Sequence, residues 1–232
     1  MPEQSKTVDA ALSVLTLLAG GDDQPTAASL ARRLGMSRTA VARLLATLEA
    51  HGLARRMGRG WGPGLGLLTL ASGIEPRLRG LARAELEDLA RRFGETAVLS
   101  VREGDEAVAV DQVVGGAGVV RIHYRIGTRH PLRLGASGRA LLDEHAGEVV
   151  VSEGELEPGV RGAAAAVLGA GGRPVASIAL VAPAHRFPAE GEATEAVAAA
   201  ARRITEGLAG PPSAGPPDTV AGGRDAVLPA GR

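Results

Sequence analysis

The chain has 232 residues, 26 basic and 26 acidic side chains, no cysteine and four aromatic residues (Trp61, Phe93, Tyr124 and Phe187). That length suits two modest domains with cores built from Leu, Val and Ala, and the missing cysteines exclude a disulfide framework and a thiolate metal site. No run approaches the ~18 apolar residues that cross a bilayer, and the start Met-Pro-Glu-Gln-Ser-Lys lacks an apolar signal core, so a cytoplasmic protein without a membrane partner is expected.

Val8, Ala11, Leu12, Leu15 and Leu18 mark a first helix, stopped at Gly20-Gly21. Thr26 opens a second, with Leu30, Ala31 and Leu34 on one face; Ser37 opens a third, with Val41, Leu44, Leu45 and Leu48 at helical spacing. Thr26 and Ser37 are N-cap residue types, Gly35 can take the left-handed conformation that ends a helix, and Gly35-Met36-Ser37 suffices for the elbow of a helix-turn-helix. Away from its apolar stripe the third helix carries Arg38, Thr39, Ala42, Arg43, Ala46 and Thr47. In a DNA reader the first part of this helix meets base edges, where arginine pairs with guanine and threonine or alanine touches a thymine methyl.

The stretch from Leu53 to Gly64 reads as a short hairpin with glycine at its tip, a wing. Arg55, Arg56 and Arg59 would follow a phosphate backbone while Trp61 packs the hairpin onto the helices. Charge agrees: from Pro25 to Pro63 there are seven arginines and one acid, Glu49, whereas Leu141 to Val160 holds six acids and no Lys or Arg. Such asymmetry suits a polyphosphate partner for one part of the chain. The candidate DNA-binding residues are Ser37, Arg38, Thr39, Ala42, Arg43, Arg55, Arg56 and Arg59, and the expected partner is double-stranded DNA. The alternating glycines at 58, 60, 62 and 64 follow a helix rather than a strand, which excludes a dinucleotide fingerprint.

Leu65, Leu67, Leu68, Leu70 and Ala71 predict a short helix interrupted at Pro76, and Leu78, Leu81, Ala82, Leu86, Leu89 and Phe93 a long amphipathic one; together they form a helical connector over 65–93. From Glu95 the period shortens, with strands expected at 96–101, 107–110 and 118–124, a helix at 137–142 and a strand at 149–151. A hairpin follows, 163–168 and 174–181 around Gly169-Ala-Gly-Gly172, and then a last helix over 190–208. The fold class is α+β: a winged helix-turn-helix domain over 1–64, the connector, a sheet domain over 94–210 and a disordered tail over 211–232.

The five histidines (51, 123, 130, 145 and 185) show no zinc-binding spacing, so neither metal nor cofactor is expected. Ser137 lies between glycines, but Arg139 stands where a nucleophile elbow needs its second glycine. A trio of Ser137, His185 and Asp111 is an esterase-like alternative to the expected non-enzyme. Arg121, Arg125, Arg129 and Arg133 recur at spacing four and read as surface or interface charges, with an anion pocket as the other reading.

The segment from Leu30 to Leu53 resembles the winged helix of IclR-family transcriptional regulators. In the same order as that family's effector-binding domain, three landmarks follow: His130-Pro-Leu-Arg-Leu-Gly-Ala-Ser-Gly-Arg-Ala-Leu-Leu142, Glu155-Leu-Glu-Pro-Gly-Val-Arg161 and Ala182-Pro-Ala-His-Arg-Phe187. The resemblance covers about residues 7 to 208. It implies a repressor or activator that binds a palindromic operator as a homodimer or homotetramer, with a GAF-like domain that receives a small metabolite, commonly a carboxylate. Carried over by position, Arg38, Thr39 and Arg43 serve the recognition helix, while Ala40 and Ala42 stand where family members often have Thr and His.

The effector site then falls on Gly135, Ala136, Ser137, Ser152, Val160, Gly162, Ala179 and Val181. Gly162 replaces a family cysteine, and Ala179 and Val181 replace two strand serines that commonly hold a carboxylate. The loss of those donors implies an apolar or aromatic ligand, or none. Between Leu142 and Glu155 the family inserts two helices and a loop, of which only 143–154 remains, so the pocket wall is shortened. Two regulators therefore stand side by side: one responsive to an effector, and one whose second domain only oligomerises.

Overall fold

The computed structural model describes residues 5–20, 23–116 and 121–210. The expected tail over 211–232, and residues 118–120 of one expected strand, lie outside the described residues. The chain forms two compact units that divide between Pro76 and Arg77.

The first unit holds α1 (Lys6–Ala19), α2 (Ala27–Leu34), α3 (Arg38–Ala50), the hairpin β1 (Ala54–Met57) and β2 (Gly60–Pro63), and α4 (Gly66–Ser72). Local chemistry sets the helix ends. The Ser29 N–H donates to Thr26 Oγ1 at 3.2 Å and the Ala40 N–H to Ser37 Oγ at 3.1 Å, each pairing an amide that a helix start leaves without a partner. Gly35 closes α2 in the left-handed region at φ 64°, and the Met36 N–H returns to the Ala31 carbonyl at 2.9 Å. Val14, Leu18, Leu30, Val41, Leu45 and Trp61 form the core of this unit.

On α1 the buried face differs from the expected stripe. Leu18 is buried and Ala11 and Leu15 pack beside it, but Val14 takes the central place while Val8 and Leu12 are 56% and 57% exposed. Val8 lies roughly a quarter to a third of a turn, and Leu12 more than a third of a turn, round the helix from the Val14–Leu18 row, so a helix resting on two others leaves them outside. In α4, among the described residues, no side chain is buried.

The second unit contains α5 (Pro76–Phe93), β3 (Thr96–Glu103), β4 (Glu106–Val113), β5 (Arg129–Pro131), α6 (Gly135–Arg139), β6 (Val149–Glu153), β7 (Val160–Leu168), β8 (Pro174–Pro183) and α7 (Glu190–Ala209). The strands form one antiparallel sheet in the order β5-β4-β3-β8-β7-β6. Alternation gives the sheet two apolar faces. Leu99, Ile178 and Leu180 meet Leu86 and Leu89 of α5 and Ile204 of α7 on one side. Val98, Ala164, Ala179 and Val181 meet Ala136 and Ala140 at α6 on the other. The helix grouped by sequence with the connector thus packs, from Leu78 onward, inside the core of the second unit, because its apolar face matches that of the sheet.

The α+β class is as expected, with local differences. Residues 121–125 form no strand. Their alternation, with Ile122 and Tyr124 half-buried, is held by side chains instead: Thr96 Oγ1 donates to the Ile122 carbonyl at 2.5 Å, and the Tyr124 N–H donates to Gln112 Oε1 at 3.0 Å. The missed β5 is three residues long and ends in proline, too short to show a period. The expected helix at 137–142 begins two residues earlier and continues beyond Arg139 as turns.

Candidate nucleic-acid interface and effector pocket

The cap at Ser37 fixes where α3 begins, and the spacing of its buried Val41, Leu45 and Leu48 fixes which residues face outward. Arg38, Thr39, Ala42 and Arg43 are exposed, as are Arg55, Arg56 and Arg59 on the hairpin. The register Arg56↔Trp61 and Met57↔Gly60 places a tight turn at Gly58-Arg59. The hairpin is docked by backbone: the Trp61 N–H donates to the Pro25 carbonyl at 3.0 Å, and a Cβ on Gly60 would lie 2.0 Å from the Gln24 carbonyl oxygen.

Between α3 and the hairpin lies a cleft of about 450 Å³, lined by Arg38, Ala42, Ala46, Arg56, Arg59 and Trp61 among others. The Arg56 guanidinium stacks over the Trp61 ring at 4.3 Å, which orients the cation without neutralising it. Arg55 points to the other face of the ribbon, where its Nε donates to the Pro63 carbonyl at 3.1 Å. Arg43 lines a separate recess of about 360 Å³ with Lys6, Ala40 and Thr47. The sequence-predicted residues therefore divide: Arg38, Ala42, Arg56 and Arg59 share the cleft, whereas Arg43 and Arg55 reach out on other sides. Among the described residues the arginines of α3 and the hairpin form no ion pair, although the exposed Glu49 of α3 lines the same cleft as Arg38, Arg56 and Arg59.

In the second unit, alternate positions of β6, β7 and β8 floor a cavity under α6. Ala136, Ser137, Ser152, Val160, Gly162 and Val181 line it, so six of the eight sequence-predicted effector residues come together. Ala179 is fully buried beneath them, and Gly135 lies under the Leu156 side chain, where a Cβ would come within 2.5 Å of Leu156 Cδ1. The cavity is small, about 20 Å³, room for about one water molecule.

Several of the polar groups at this cavity are engaged within the chain. Ser152 Oγ accepts the Ala136 N–H at 2.8 Å, and the Glu155 carboxylate accepts the Gly135 N–H at 2.8 Å and an Arg139 guanidinium N–H at 2.8 Å. Ser177 Oγ donates to the Ser137 carbonyl at 2.9 Å. Sequence reasoning missed Tyr124, Ser177 and the side chains of Glu155 and Leu156 as members of the site. Tyr124 alternates with Ile122 on one face and is the chain's single tyrosine, a signal that was available. Burial raises its phenol pKa, which keeps it protonated. Of the paper trio, Asp111 is committed to Arg83 at 3.4 Å and to the Gln112 N–H at 2.8 Å.

Two family models match the chain. The IclR helix-turn-helix domain covers residues 7–58 and the bacterial transcriptional regulator IclR C-terminal domain covers residues 75–152, together more than half of the sequence. The HTH-type transcriptional regulator KipR of Bacillus subtilis is 32% identical over 145 residues, 61% of this chain and 57% of its own. Rv1719 of Mycobacterium tuberculosis, also an HTH-type transcriptional regulator, is 36% identical over 133 residues, 56% of this chain and 50% of its own. The chain thus spans about half the length of the curated relatives it matches. Among solved structures, the Thermotoga maritima IclR superposes with a TM-score of 0.73 at 22% identity, over 87% of this chain and 98% of that one. An IclR homologue from Microbacterium hydrocarbonoxydans, complexed with 4-hydroxybenzoate, gives 0.75 at 20% identity, over 88% and 99%. At such identities the likeness is one of fold. Among the described residues, no helix is long and apolar enough to cross a membrane.

Proposed function

The chain belongs to the IclR family of bacterial transcriptional regulators, and from that premise we propose that it binds a palindromic DNA operator as a homodimer or homotetramer and responds to a small-molecule effector. One observation carries the DNA reading: Arg38, Arg43, Arg56 and Arg59 are exposed and have no ion-pair partner among the described residues. In the major groove the start of α3 brings Arg38 and Thr39 to base edges, with Ala42 against a thymine methyl. Arg43, Arg56 and Arg59 neutralise phosphates, and the counterions they release make affinity depend on salt. The Arg56–Trp61 stack presents one of these charges in a fixed orientation. A palindrome mirrors the two-fold axis of a dimer, and the exposed Val8, Leu12, Leu65, Leu68, Leu70 and Ile74 offer apolar surface to a second copy.

The relative that holds 4-hydroxybenzoate supports an aromatic effector for the second unit. A second reading, in which that unit only oligomerises and DNA binding is independent of ligand, is favoured by the 20 Å³ cavity. Both readings make the protein a regulator rather than an enzyme, in keeping with its named relatives. Selection from a random duplex library with the purified chain tests DNA recognition. Enrichment of a palindromic consensus bound on the order of 10⁻⁸ M or tighter is expected; recovery of no consensus above the input overturns it.

A further inference from the structure

The two edges of the six-stranded sheet differ. β5 is three residues long, ends in Pro131 and carries Arg129, which Glu103 and Glu106 hold. Short length, proline and charge are the devices that keep a sheet edge from pairing with another chain. β6, at the other end of the order, runs Val149-Val-Val-Ser-Glu153 in unbroken register with β7, and contains no proline, lysine or arginine. Among the described residues no strand pairs with its outer side.

The ladder fixes which backbone groups that edge presents. The Gly154 N–H donates inward to the Val160 carbonyl at 2.8 Å, and along an antiparallel strand successive residues bond alternately to one side and the other. Val150 and Ser152 therefore bond to β7, while the N–H and C=O groups of Val149, Val151 and Glu153 point away from the sheet. The side chains of these three share one face, the one on which Val149 packs with the core of α5 and α7. On that face a groove of about 250 Å³ lies between β6 and α7, lined by Val149, Ala198, Ala201 and Arg202 among others. Arg202 is exposed and forms no ion pair among the described residues, although Glu148 and Glu206 line the same groove.

We propose that β6 pairs antiparallel with β6 of a second copy of this chain, about a two-fold axis at Val151, joining two sheets into one. Such an interface is self-complementary. Val151 stands opposite itself and Val149 opposite Glu153 of the second copy, which supplies about six backbone hydrogen bonds and sets no acid against an acid. Glu153 of the second copy then falls beside the groove, where it meets Arg202, and the valines of both strands extend the apolar face under α7. The inference rests on the oligomer half of the proposed function and adds the surface and its symmetry; it is independent of any effector.

The test uses the full chain, which has no cysteine, so that a single introduced thiol reports on one position. Residues opposite each other across the axis have Cα atoms about 5.5 Å apart, within the roughly 4.4–6.8 Å that a disulfide spans. The two copies of Val149, or of Glu153, stand about 14 Å apart. Under mild oxidation Val151→Cys is therefore expected to give a linked dimer, whereas Val149→Cys and Glu153→Cys link to each other when mixed but not to themselves. Val151→Lys, which sets like charges on the axis, should halve the solution mass measured by light scattering with an unchanged circular dichroism spectrum. A monomeric parent chain would overturn the oligomer reading and this proposal together. An oligomeric parent whose mass Val151→Lys leaves unchanged, or self-linkage at 149 or 153 but not at 151, overturns the edge pairing alone.

Discussion

In the first unit Arg38, Arg43, Arg56 and Arg59 are exposed and form no ion pair among the described residues, although Glu49 lines the cleft with three of them, whereas in the second unit Arg129, Arg139, Arg173, Arg186 and Arg203 each hold an acid. The two patterns serve different ends. A surface ion pair contributes about 0–1 kcal/mol and presents little net charge to a partner; a cation without an acid keeps its field for phosphate. A chain with zero net charge can therefore carry a strongly basic face, provided that its acids are spent elsewhere.

The largest effect should come from the unpaired set. Arg38→Ala and Arg56→Ala are each expected to cost about 1–3 kcal/mol of operator affinity, the first without lowering the melting temperature and the second with a small loss from the Trp61 stack, measured by fluorescence anisotropy beside a thermal scan. Arg55→Ala, tied to the Pro63 carbonyl on the other face of the hairpin, should cost less than either; equal losses at 55 and 56 would erase the distinction drawn within the wing. Next comes the scaffold beneath those arginines. Ser37→Ala removes the cap of α3 and should destabilise the first unit by about 1 kcal/mol, seen in denaturant unfolding followed by Trp61 fluorescence.

A smaller effect is expected from the paired set. Arg203 donates to both oxygens of Glu85 at 2.7 and 2.6 Å and joins α7 to α5, but half of its side chain is exposed. Arg203→Ala should lower the stability of the second unit by about 0.5–1 kcal/mol after solvent screening and leave operator affinity alone. Any sizeable loss of DNA binding would break the contrast between the units. The smallest effect concerns pH. The hydrogen bond from Arg173 holds the Asp143 carboxyl below the usual carboxylate range. A depressed folded pKa favours the native state above that range and ceases to do so as the pH falls through it. Arg173→Ala should thus lower stability slightly at neutral pH, with the difference from the parent protein vanishing as the pH falls through the carboxylate range, as read by denaturant unfolding followed by circular dichroism at several pH values.

What could be read from sequence was what is settled locally. Caps at Thr26 and Ser37, the glycine elbow and the outward face of α3 depend on residues within a few positions of each other, and they stand as expected. The exposure of Val8 and Leu12 depends on where two other helices lie, and no periodicity in α1 tells one apolar stripe from its neighbour. The floor of the pocket was legible for a similar reason: Val160 and Gly162, like Ala179 and Val181, share a face by strand alternation. Its closure was not, because Leu156 reaches Gly135 and Glu155 reaches Arg139 only after a turn has brought residues about twenty positions apart together. The missing donors at 162, 179 and 181 suggested a bare site, while backbone N–H groups, invisible to side-chain reasoning, already held Ser152 and Glu155.

The most direct test of the unpaired-arginine account is the salt dependence of operator binding by the intact chain. With Arg38, Arg43, Arg56 and Arg59 at phosphates or bases of each half-site, the logarithm of affinity should fall linearly with that of salt, with a slope steeper than about −3. Removing a phosphate-contacting arginine such as Arg56 should flatten it by about 1 per half-site, hence by about 2 for a dimer on its operator. A slope near zero, or one that the Arg56→Ala protein shares unchanged, would contradict the claim that these cations are held for DNA.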